Sequence, residues 1–383
     1  MEVPFHRSYT TEEDVAGVAE TIRSGWLTMG PKTIEFENQF KAQVGAEHAV
    51  AVNSGTAALH LGLRVIDLKP GDEVIIPAMT FAATGEVVRY FDAVPVMVDV
   101  DRRTHNILPE EIEKHVTAKT RAIIPVHFGG LPADIDEILE IADRHNLKII
   151  EDAAHCFPSF YKGKPVGGFA DITAFSFYAT KTIAVGEGGM ATTDNEEYAD
   201  LMRILRLHGI SKDAWKRYTK EGSWYYEIVL AGFKYNTTDI QASLGLTQLA
   251  KAEKVWRMRE KIARRYTEAF RNIDQIIMPT VLPDRQTSWH LYVIKLNLEA
   301  LRIKRDTFIE QLLERGIHTS VHFIPLYRHP YYQKLLSIDY REMPNSEWLF
   351  ERIISLPIFP GMSKEQIEYV IENVVDIAQK NRR

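Results

Sequence analysis

The sequence has almost no cysteine, no long apolar run and no excess of basic residues, and each shortage excludes a class of protein. The single cysteine, Cys156, leaves no internal disulfide framework and is typical of a reducing cytoplasm. No stretch approaches the roughly 20 apolar residues that cross a bilayer, and residues 1–7 lack the apolar core of a secretion signal. Against 46 Lys and Arg stand 52 Asp and Glu, a net charge of −6 without a basic cluster that would suit nucleic acid. We therefore expect a cytoplasmic protein that binds neither a membrane nor nucleic acid.

The length and the hydrophobic patterns predict two domains. A chain of 383 residues is too long for one ordinary core, and its 45% hydrophobic and 26% charged residues are typical of globular proteins. A charged amphipathic run at residues 251–272 indicates a helix that joins the two parts. We therefore predict a large domain at residues 1–250 and a small domain at residues 251–383.

Strand-like and helix-like runs alternate in the large domain. Helix-like runs, such as residues 56–65 and 135–145, lie between short runs rich in β-branched residues. This alternation predicts an α/β fold with a mostly parallel, seven-stranded sheet covered by helices on both faces. Ligands of such sheets bind at the carboxyl ends of the strands. The seven strand-like runs are residues 49–52, 73–76, 94–98, 122–126, 148–151, 170–177 and 189–193.

The small domain has a mixed pattern. Residues 291–296 and 318–324 have strand character, whereas residues 305–315 and 364–378 have apolar residues at helical spacing. We therefore predict a smaller α+β domain. Residues 211–232 are polar, aromatic and irregular, which indicates a long loop.

A lone lysine in an apolar and glycine-rich stretch is the first candidate for chemistry. Lys181 follows the run Phe-Ser-Phe-Tyr-Ala-Thr at residues 175–180 and precedes a glycine-rich turn at residues 186–189. Burial makes an ammonium group lose its proton more easily, and a neutral amine is the nucleophile that a Schiff-base lysine needs. Taken alone, the stretch also fits the commoner case of a strand-end lysine that reaches solvent.

Two further stretches favour a pyridoxal phosphate site. Residues 148–152, Lys-Ile-Ile-Glu-Asp, indicate a buried strand that ends in Asp152, a carboxylate able to keep a pyridine nitrogen protonated. Residues 50–59 indicate a strand, a small polar turn and a helix start, where backbone N–H groups and the helix dipole favour a phosphate. Together with Lys181, these groups supply the lysine, the carboxylate and the phosphate cradle that this cofactor requires.

At this point the sequence resembles the DegT-type, fold type I sugar-nucleotide aminotransferases. That family carries Asn-Ser-Gly-Thr-Ala-Ala-Leu, then Glu-Asp-Ala-Ala-His, then Phe-Ser-Phe-x-x-x-Lys followed by Gly-Glu-Gly-Gly. This chain has all of them in the same order, and the resemblance extends from residue 26 to the C-terminal region. It implies an aspartate aminotransferase-like fold, pyridoxal 5'-phosphate as cofactor, and a homodimer with shared active sites.

The resemblance also implies roles for individual residues. Lys181 would hold the cofactor and move protons, Asp152 would keep the pyridine nitrogen protonated, and His155 would lie near the ring. Asn236 would reach the cofactor phosphate of the partner subunit, with Lys234 as its rival. The implied cofactor contacts are Ser54, Gly55, Thr56, Phe81, Asp152, His155, Ser176, Lys181 and Asn236. The implied substrate contacts are Trp26, Thr28, Tyr178, Glu187 and His322, and no metal site is expected.

Structural explanations stay open for several of these side chains. Phe81 also fits core packing, Ser176 fits a hydroxyl bonded to backbone, and His155 fits a structural histidine. Cys156, beside His155, could be a thiol nucleophile, although a buried structural cysteine is the commoner case. A basic cluster could meet a diphosphate or belong to a solvated loop; it consists of Lys212, Lys216, Arg217 and Lys220.

These implications combine into one functional hypothesis. The protein would transfer an amino group from an amino acid, with L-glutamate implied, to a nucleotide-linked keto sugar, nearest to a UDP- or TDP-4-keto sugar, for polysaccharide or lipopolysaccharide biosynthesis. Lys181 favours transamination, because family members that dehydrate deoxysugars have histidine there. The alternatives are a lyase, a desulfurase or a deoxysugar dehydratase of the same fold, and a cofactor-binding regulator. Cys156 lies beside the site motif rather than on a mobile loop, which argues against a desulfurase.

Overall fold

The computed structural model describes residues 1–211, 225–336 and 338–383. Within these ranges, no helix is long and apolar enough to cross a lipid bilayer. The helices are α1 (Glu12–Ser24), α2 (Pro31–Val44), α3 (Gly55–Val65), α4 (Ala82–Arg89), α5 (Pro109–His115), α6 (Ile135–His145), α7 (Glu196–Leu205), α8 (Asp239–Ala250), α9 (Ala252–Phe270), α10 (Arg305–Glu314), α11 (Pro330–Leu335), α12 (Pro344–Phe350) and α13 (Lys364–Lys380). The strands are β1 (His48–Val52), β2 (Glu73–Pro77), β3 (Val94–Val98), β4 (Thr120–Ile123), β5 (Lys148–Asp152), β6 (Phe160–Tyr161), β7 (Lys164–Pro165), β8 (Ile172–Ser176), β9 (Gly189–Thr193), β10 (Ile276–Ile277), β11 (Arg285–Gln286), β12 (Tyr292–Leu296) and β13 (Ile353–Leu356).

The main sheet has seven strands in the order β1-β9-β8-β5-β4-β2-β3. β9 runs antiparallel to both of its neighbours, and the other neighbouring pairs are parallel. Each of the seven strand-like runs in the sequence coincides with one of these strands. The predicted α/β fold with a mostly parallel sheet is therefore confirmed.

Both faces of the main sheet are buried, which explains why its strands are apolar at successive positions. In β2, Val74 and Ile76 pack into the core that α3, α4 and α7 share. Ile75, between them, points to the other face and packs with residues of α5 and α6. Because side chains alternate along a strand, a run that is apolar at every position needs a cover on each side.

A second core lies around an antiparallel sheet of order β10-β12-β13. α9 contributes Tyr266 and Phe270 to it, and α13 contributes Val370 and Val374. Val3, from the other end of the chain, is fully buried in the same core. The predicted boundary after residue 250 stays a prediction, and β11 pairs with β6 across it.

The strand-like run at residues 318–324 does not form a strand, so that prediction is wrong. Ser320 makes one isolated bridge to Ser355 of β13, and the backbone then turns away. The neighbours of β12 are β10 and β13, neither of which the sequence analysis predicted. Alternating apolar residues indicate a strand only if a partner lies alongside, and the pairing is set by distant parts of the chain.

The predicted loop at residues 211–232 lies mostly outside the described residues. The basic cluster Lys212, Lys216, Arg217 and Lys220 falls wholly outside them. Beyond that gap, residues 232–238 lead into α8, whose start is capped by Thr238. The Thr238 hydroxyl accepts a hydrogen bond from the Gln241 N–H, and the Gln241 side chain accepts one from the Thr238 N–H, so the two residues form a capping box.

Candidate active site

Three segments that are distant in sequence meet at one edge of the main sheet. Asp152 is the last residue of β5, Ser176 is the last residue of β8, and Ser54 follows β1 at the start of α3. Because these strands point the same way, their carboxyl ends meet. Lys181 lies in the connection from β8 to β9 and completes the wall of a cavity of about 440 Å³, a size usual for small-molecule sites.

Most of the predicted site residues line this one cavity. Lys181 and Asp152 do so, together with the predicted cofactor contacts Ser54, Gly55, Thr56, Phe81, His155 and Ser176. Three of the predicted substrate contacts also line the cavity, namely Tyr178, Glu187 and His322. Phe81 and Tyr178 are 61% and 46% exposed, so their aromatic faces are open to a ligand at the mouth.

Lys181 has the electrostatic setting of a nucleophilic amine. Burial lowers the pKa of Lys181 to about 8, while the nearby Asp152 carboxylate opposes this shift. A substantial fraction of the amine is therefore neutral near physiological pH, whereas an exposed lysine would be almost fully protonated. The backbone holds the residue in a turn, since the Lys181 N–H donates to the Tyr178 carbonyl oxygen at 2.8 Å.

Asp152 is held in a fixed orientation at the base of the cavity. Its Oδ2 accepts a hydrogen bond from Thr84 Oγ1 at 2.8 Å, and its Oδ1 accepts one from the Ala154 N–H at 3.1 Å. Burial raises the pKa of Asp152, and the hydrogen bonds from Thr84 and Ala154 and the charge of Lys181 oppose that rise. In the low dielectric of a buried site, the attraction between a carboxylate and a cationic group is stronger than in water.

Thr84, the donor to Asp152, is a residue that the sequence analysis missed. It lies on α4, and its hydroxyl also bonds to Thr80 Oγ1 at 2.8 Å. Thr80 lies four residues earlier, before the start of α4 and next to Phe81. Nothing local in the sequence indicates that this segment faces Asp152.

The start of α3 forms a cradle with no room for extra side-chain atoms. Ser54 caps the helix, with its Oγ accepting from the Ala57 N–H at 3.0 Å. A Cβ at Gly55 would lie 2.9 Å from Ser176 Cβ, and a Cβ at Gly189 would lie 2.3 Å from the Ser54 carbonyl oxygen. The backbone N–H groups at this helix start are thus close to the Ser176 hydroxyl, an arrangement that suits a phosphate.

The residues present therefore fit pyridoxal phosphate. The cradle of Ser54, Gly55 and Ser176 suits its phosphate, and Asp152 suits its ring nitrogen. Lys181 suits its aldehyde, and the exposed ring of Phe81 suits stacking on its flat ring. Within the described residues, no group of three histidine, cysteine, aspartate or glutamate side chains is placed to hold a metal ion.

Neutral histidines form another wall of the cavity. Burial and the charge of Lys181 lower the pKa of His155 well below its usual value. His155 Nδ1 accepts a hydrogen bond from the Gly129 N–H at 3.3 Å, which leaves the ring proton on Nε2. The ring centroid of His290 lies 4.4 Å from that of His155. Burial also lowers the pKa of His322 to about 4.

Three predicted contacts lie outside the cavity of their own chain. Trp26 lines a separate apolar depression with Pro31 and Ile34, while Thr28 and Asn236 are also absent from the cavity wall. The Asn236 N–H donates to the Arg206 carbonyl oxygen at 3.1 Å.

One buried carboxylate joins the segments that carry these three residues. Asp239 Oδ1 accepts from the N–H groups of Gly30 and Thr33 at 2.8 and 3.0 Å, and the Asp239 N–H donates to the Thr28 carbonyl oxygen at 3.3 Å. Asp239 follows Asn236 by three residues, so Trp26, Thr28 and Asn236 belong to one connected unit. Lys234 is exposed in the same segment.

Cys156 is not placed as a nucleophile. It is 1% exposed, its Sγ lies 3.6 Å from the Gly130 carbonyl oxygen, and burial raises its thiol pKa. A thiol in this setting remains protonated and unreactive. Cys156 is therefore best explained as a structural residue, and the thiol nucleophile that a desulfurase needs is lacking.

Comparison with known proteins agrees with this geometry. The DegT/DnrJ/EryC1/StrS aminotransferase family matches residues 8–375. The chain belongs to that family. The chain is 51% identical to the uncharacterized protein MJ1066 of Methanocaldococcus jannaschii, over 99% of this chain and 98% of that one. It is 47% identical to the spore coat polysaccharide biosynthesis protein SpsC of Bacillus subtilis, over 98% and 97% of the two chains.

A solved structure of the same type has the same fold. Spr1654 of Streptococcus pneumoniae, assigned to the sugar aminotransferases, superimposes in its PMP form with a TM-score of 0.94 at 36% identity. The match covers 99% of this chain and all of that one. A PLP form of Spr1654 is similar, with a TM-score of 0.93. The DegT-family chain described here is thus a sugar aminotransferase that depends on pyridoxal phosphate, with a fold type I architecture.

Proposed function

We propose that this enzyme transfers the amino group of L-glutamate to a nucleotide-linked keto sugar, of the UDP- or TDP-4-keto class, in amino-sugar biosynthesis. The observation that carries the proposal is the pairing of the Lys181 amine with the Asp152 carboxylate in one cavity. Phe81 and Tyr178 stand exposed at the mouth of that cavity, where a bulky sugar nucleotide would enter. The name of the relative SpsC, from spore coat polysaccharide biosynthesis, supports a polysaccharide pathway for the product.

The cofactor and the protein divide the chemistry between them. When bound, pyridoxal phosphate supplies a reactive aldehyde and a ring that accepts electrons. The α3 start and the Ser176 hydroxyl would hold its phosphate, and Asp152 would hold the proton on its ring nitrogen. Thr84 keeps the Asp152 carboxylate aimed into the cavity through its 2.8 Å hydrogen bond.

Lys181 is the group that moves the proton in both halves of the transfer. With its pKa at about 8, the amine can accept a proton from a substrate carbon and return it at another position. His155 and His322 are neutral, so they suit hydrogen bonds to hydroxyl groups better than an ion pair. This supports a polyhydroxylated acceptor over a second amino acid.

We further propose a homodimer in which each subunit contributes to the partner's site. Support comes from the unit of Trp26, Thr28 and Asn236, which lies outside the cavity of its own chain although all three residues are implied in binding. Exposed apolar side chains lie beside it on α1, α2 and the connection between them, as an interface would require; they are Val15, Ile22, Leu27 and Ile34. A cytoplasmic location stays a prediction from the sequence.

The first test is spectroscopic. The visible absorption band of the holoenzyme should disappear when L-glutamate is added, with one equivalent of 2-oxoglutarate formed per site. Adding the correct nucleotide keto sugar should then restore the band and yield an amino sugar. Lys181→Ala should lose this cycle, whereas the exposed Lys164→Ala should keep it.

The outcomes separate the proposal from its rivals. A band that responds to another amino acid but not to glutamate would overturn the donor. A sugar product that has lost water without gaining nitrogen would indicate a dehydratase.

Sharing of sites is tested by mixing subunits. Lys181→Ala and Asn236→Ala chains should each be inactive, yet co-expressed chains should regain activity, because mixed dimers contain one intact site. If Asn236→Ala chains are active by themselves, whereas Lys234→Ala chains are inactive but complement Lys181→Ala, then Lys234 makes the contact instead. If neither complements and the protein sediments as a monomer, shared sites are ruled out.

A further inference from the structure

The segment of residues 3–8, here the crossing segment, links the second core to the catalytic lysine. At one end, the Val3 N–H donates to the Gly316 carbonyl oxygen at 2.8 Å, and the His318 N–H donates to the Val3 carbonyl oxygen at 3.0 Å. Val3 is fully buried in the core of β12 and α13. This end of the crossing segment is therefore fixed by both backbone pairing and burial.

The other end of the crossing segment lies on the turn that carries Lys181. His6 Nε2 and Ser8 Oγ both lie 2.9 Å from the Ala179 carbonyl oxygen. A carbonyl oxygen only accepts, so both side chains donate to it and use its two lone pairs. Ala179 is two residues before Lys181, in the turn closed by the hydrogen bond from Lys181 N–H to the Tyr178 carbonyl oxygen.

Between its two ends the crossing segment faces the cavity. Phe5 and His6 line it, and the Phe5 ring stacks on His322 with centroids 5.6 Å apart. Burial and the charge of Arg259 lower the pKa of His6 to about 4, so the ring is neutral at physiological pH. Because the Nε2–H of His6 donates its hydrogen bond to the Ala179 carbonyl oxygen, Nδ1 of the neutral ring carries no proton and remains a hydrogen-bond acceptor.

We propose that His6 is a positioning residue for Lys181: with Ser8 it fixes the Ala179 carbonyl, and through it the turn from which the lysine amine reaches the cofactor. The inference rests on the proposed role of Lys181 and extends the active site to a part of the chain outside every recognised motif. If only the hydrogen bond from Lys181 N–H to the Tyr178 carbonyl oxygen held this turn, the amine could sample other positions. Displacement of a reacting group by about 1 Å can cost two orders of magnitude in rate.

The test compares holoenzymes that differ only in the crossing segment. His6→Ala should lose its visible band about tenfold faster than wild type after transfer to cofactor-free buffer, since one hydrogen bond to the turn is gone. In the amino-donor half-reaction, kcat should fall by about tenfold, while KM should change little because the donor's own contacts remain. His6→Gln, which keeps an N–H donor at a similar reach, should restore most of both losses.

Two further variants serve as comparisons for the effect of His6→Ala. Ser8→Ala should show a smaller effect in the same direction, because His6 still holds the Ala179 oxygen. Arg7→Ala, an exposed neighbour whose side chain lies outside the cavity, should behave as wild type in band loss and kcat. A merely structural role would lower the melting temperature in His6→Ala and His6→Gln alike, without separating kcat from KM.

Clear results would overturn the proposal. An unchanged rate of band loss in both His6→Ala and Ser8→Ala would do so, as would a failure of His6→Gln to restore kcat. If His6→Ala does not fold, Ser8→Ala still decides, since its hydroxyl is exposed. Lys181→Ala is measured in parallel: if it keeps a wild-type band and turnover, the proposed role of Lys181 fails, whereas unchanged crossing-segment variants beside an inactive Lys181→Ala refute the positioning alone.

Discussion

Two lysines in different regions of the molecule both have a lowered pKa but differ in what their amines contact. Burial lowers the pKa of Lys181 and of Lys295 to about 8 in each case. Lys181 stands on a turn in the cavity wall, whereas Lys295 is in β12 and 2% exposed. Lys295 Nζ donates to the carbonyl oxygens of Arg102 and Arg103 at 3.1 and 3.2 Å, so its amine ties a loop to the second core.

The difference shows that a lowered pKa does not by itself make a lysine a nucleophile. Access to a cavity distinguishes Lys181, because a reagent or cofactor can reach its amine. A nearby carboxylate is common to both lysines, Asp152 for Lys181 and Asp101 for Lys295. The Lys295 amine is committed to backbone carbonyls, where it stabilises the fold. Perturbed pKa values indicate function only together with such geometry.

The largest effect should come from replacing each lysine in turn. Lys181→Ala should lower kcat by about 10³-fold, since both the cofactor linkage and the proton-moving amine are lost. Lys295→Met should keep the kcat of the folded enzyme but lower the free energy of unfolding by about 2 kcal/mol, because two carbonyl oxygens lose a charged donor. Glutamate half-reaction kinetics and urea denaturation measure the two effects. Equal kinetic losses would contradict the comparison.

Replacing the two neighbouring carboxylates of β5 should likewise affect catalysis in one case and stability in the other. Asp152→Asn should lower kcat by about 10²-fold, because the charge that faces the cofactor nitrogen is removed. Glu151 points away from the cavity, toward His127 at 3.4 Å and Thr173 at 2.6 Å. Glu151→Gln should therefore cost about 1 kcal/mol of stability with little change in kcat, because the Thr173 hydroxyl bonds less strongly to an amide oxygen than to a carboxylate. A large kinetic loss in Glu151→Gln at unchanged stability would show that the two faces are coupled.

A smaller effect is expected at the residue that orients Asp152. Thr84→Val keeps the side-chain shape but removes the donor to Asp152 Oδ2, so kcat should fall by about tenfold. Loss of that donor also lets the pKa of Asp152 rise further, since the hydrogen bond from Thr84 opposes the effect of burial. The pH profile of kcat should accordingly lose activity at a higher pH on its acid side than in wild type. Thr84→Ser, which keeps the hydroxyl, is the matched control.

The smallest effect concerns the pH dependence of stability. Lys295 titrates at about 8 in the folded protein and at 10.5 when unperturbed, so the unfolded chain binds more protons between these values. Stability should therefore rise with pH across that window, by up to about 1.4 kcal/mol per pH unit from this residue. Lys295→Met should show a flatter curve there by denaturant titration, and identical slopes would refute the lowered pKa.

Much of the fold could be predicted because the signals are local. Each strand of the main sheet is a short apolar run between turns, and each was found. The run at residues 318–324 had the same local character yet forms no strand, and a single bridge from Ser320 to Ser355 joins it to the edge strand β13. Pairing of strands depends on residues far apart in the sequence, which a local pattern does not contain.

The residues of the active site likewise divide into those that a local motif predicts and those that it does not. Lys181, Asp152 and Ser54 lie in compact motifs and line the cavity as predicted, while their chemical roles stay predictions. Thr84 and the crossing segment could not be found, because their importance comes only from what they touch after folding. Residues that act through another residue have no motif of their own.

The alternation of side chains along β5 has a consequence for how such enzymes can change over time. Glu151 belongs to the buried core and Asp152 to the cavity, although a single peptide bond separates them. Inserting or deleting one residue in this strand would exchange the two faces and misplace both carboxylates at once. Descendants of this protein should therefore keep the number of residues in β5, because that number places Asp152 in the cavity and Glu151 in the core.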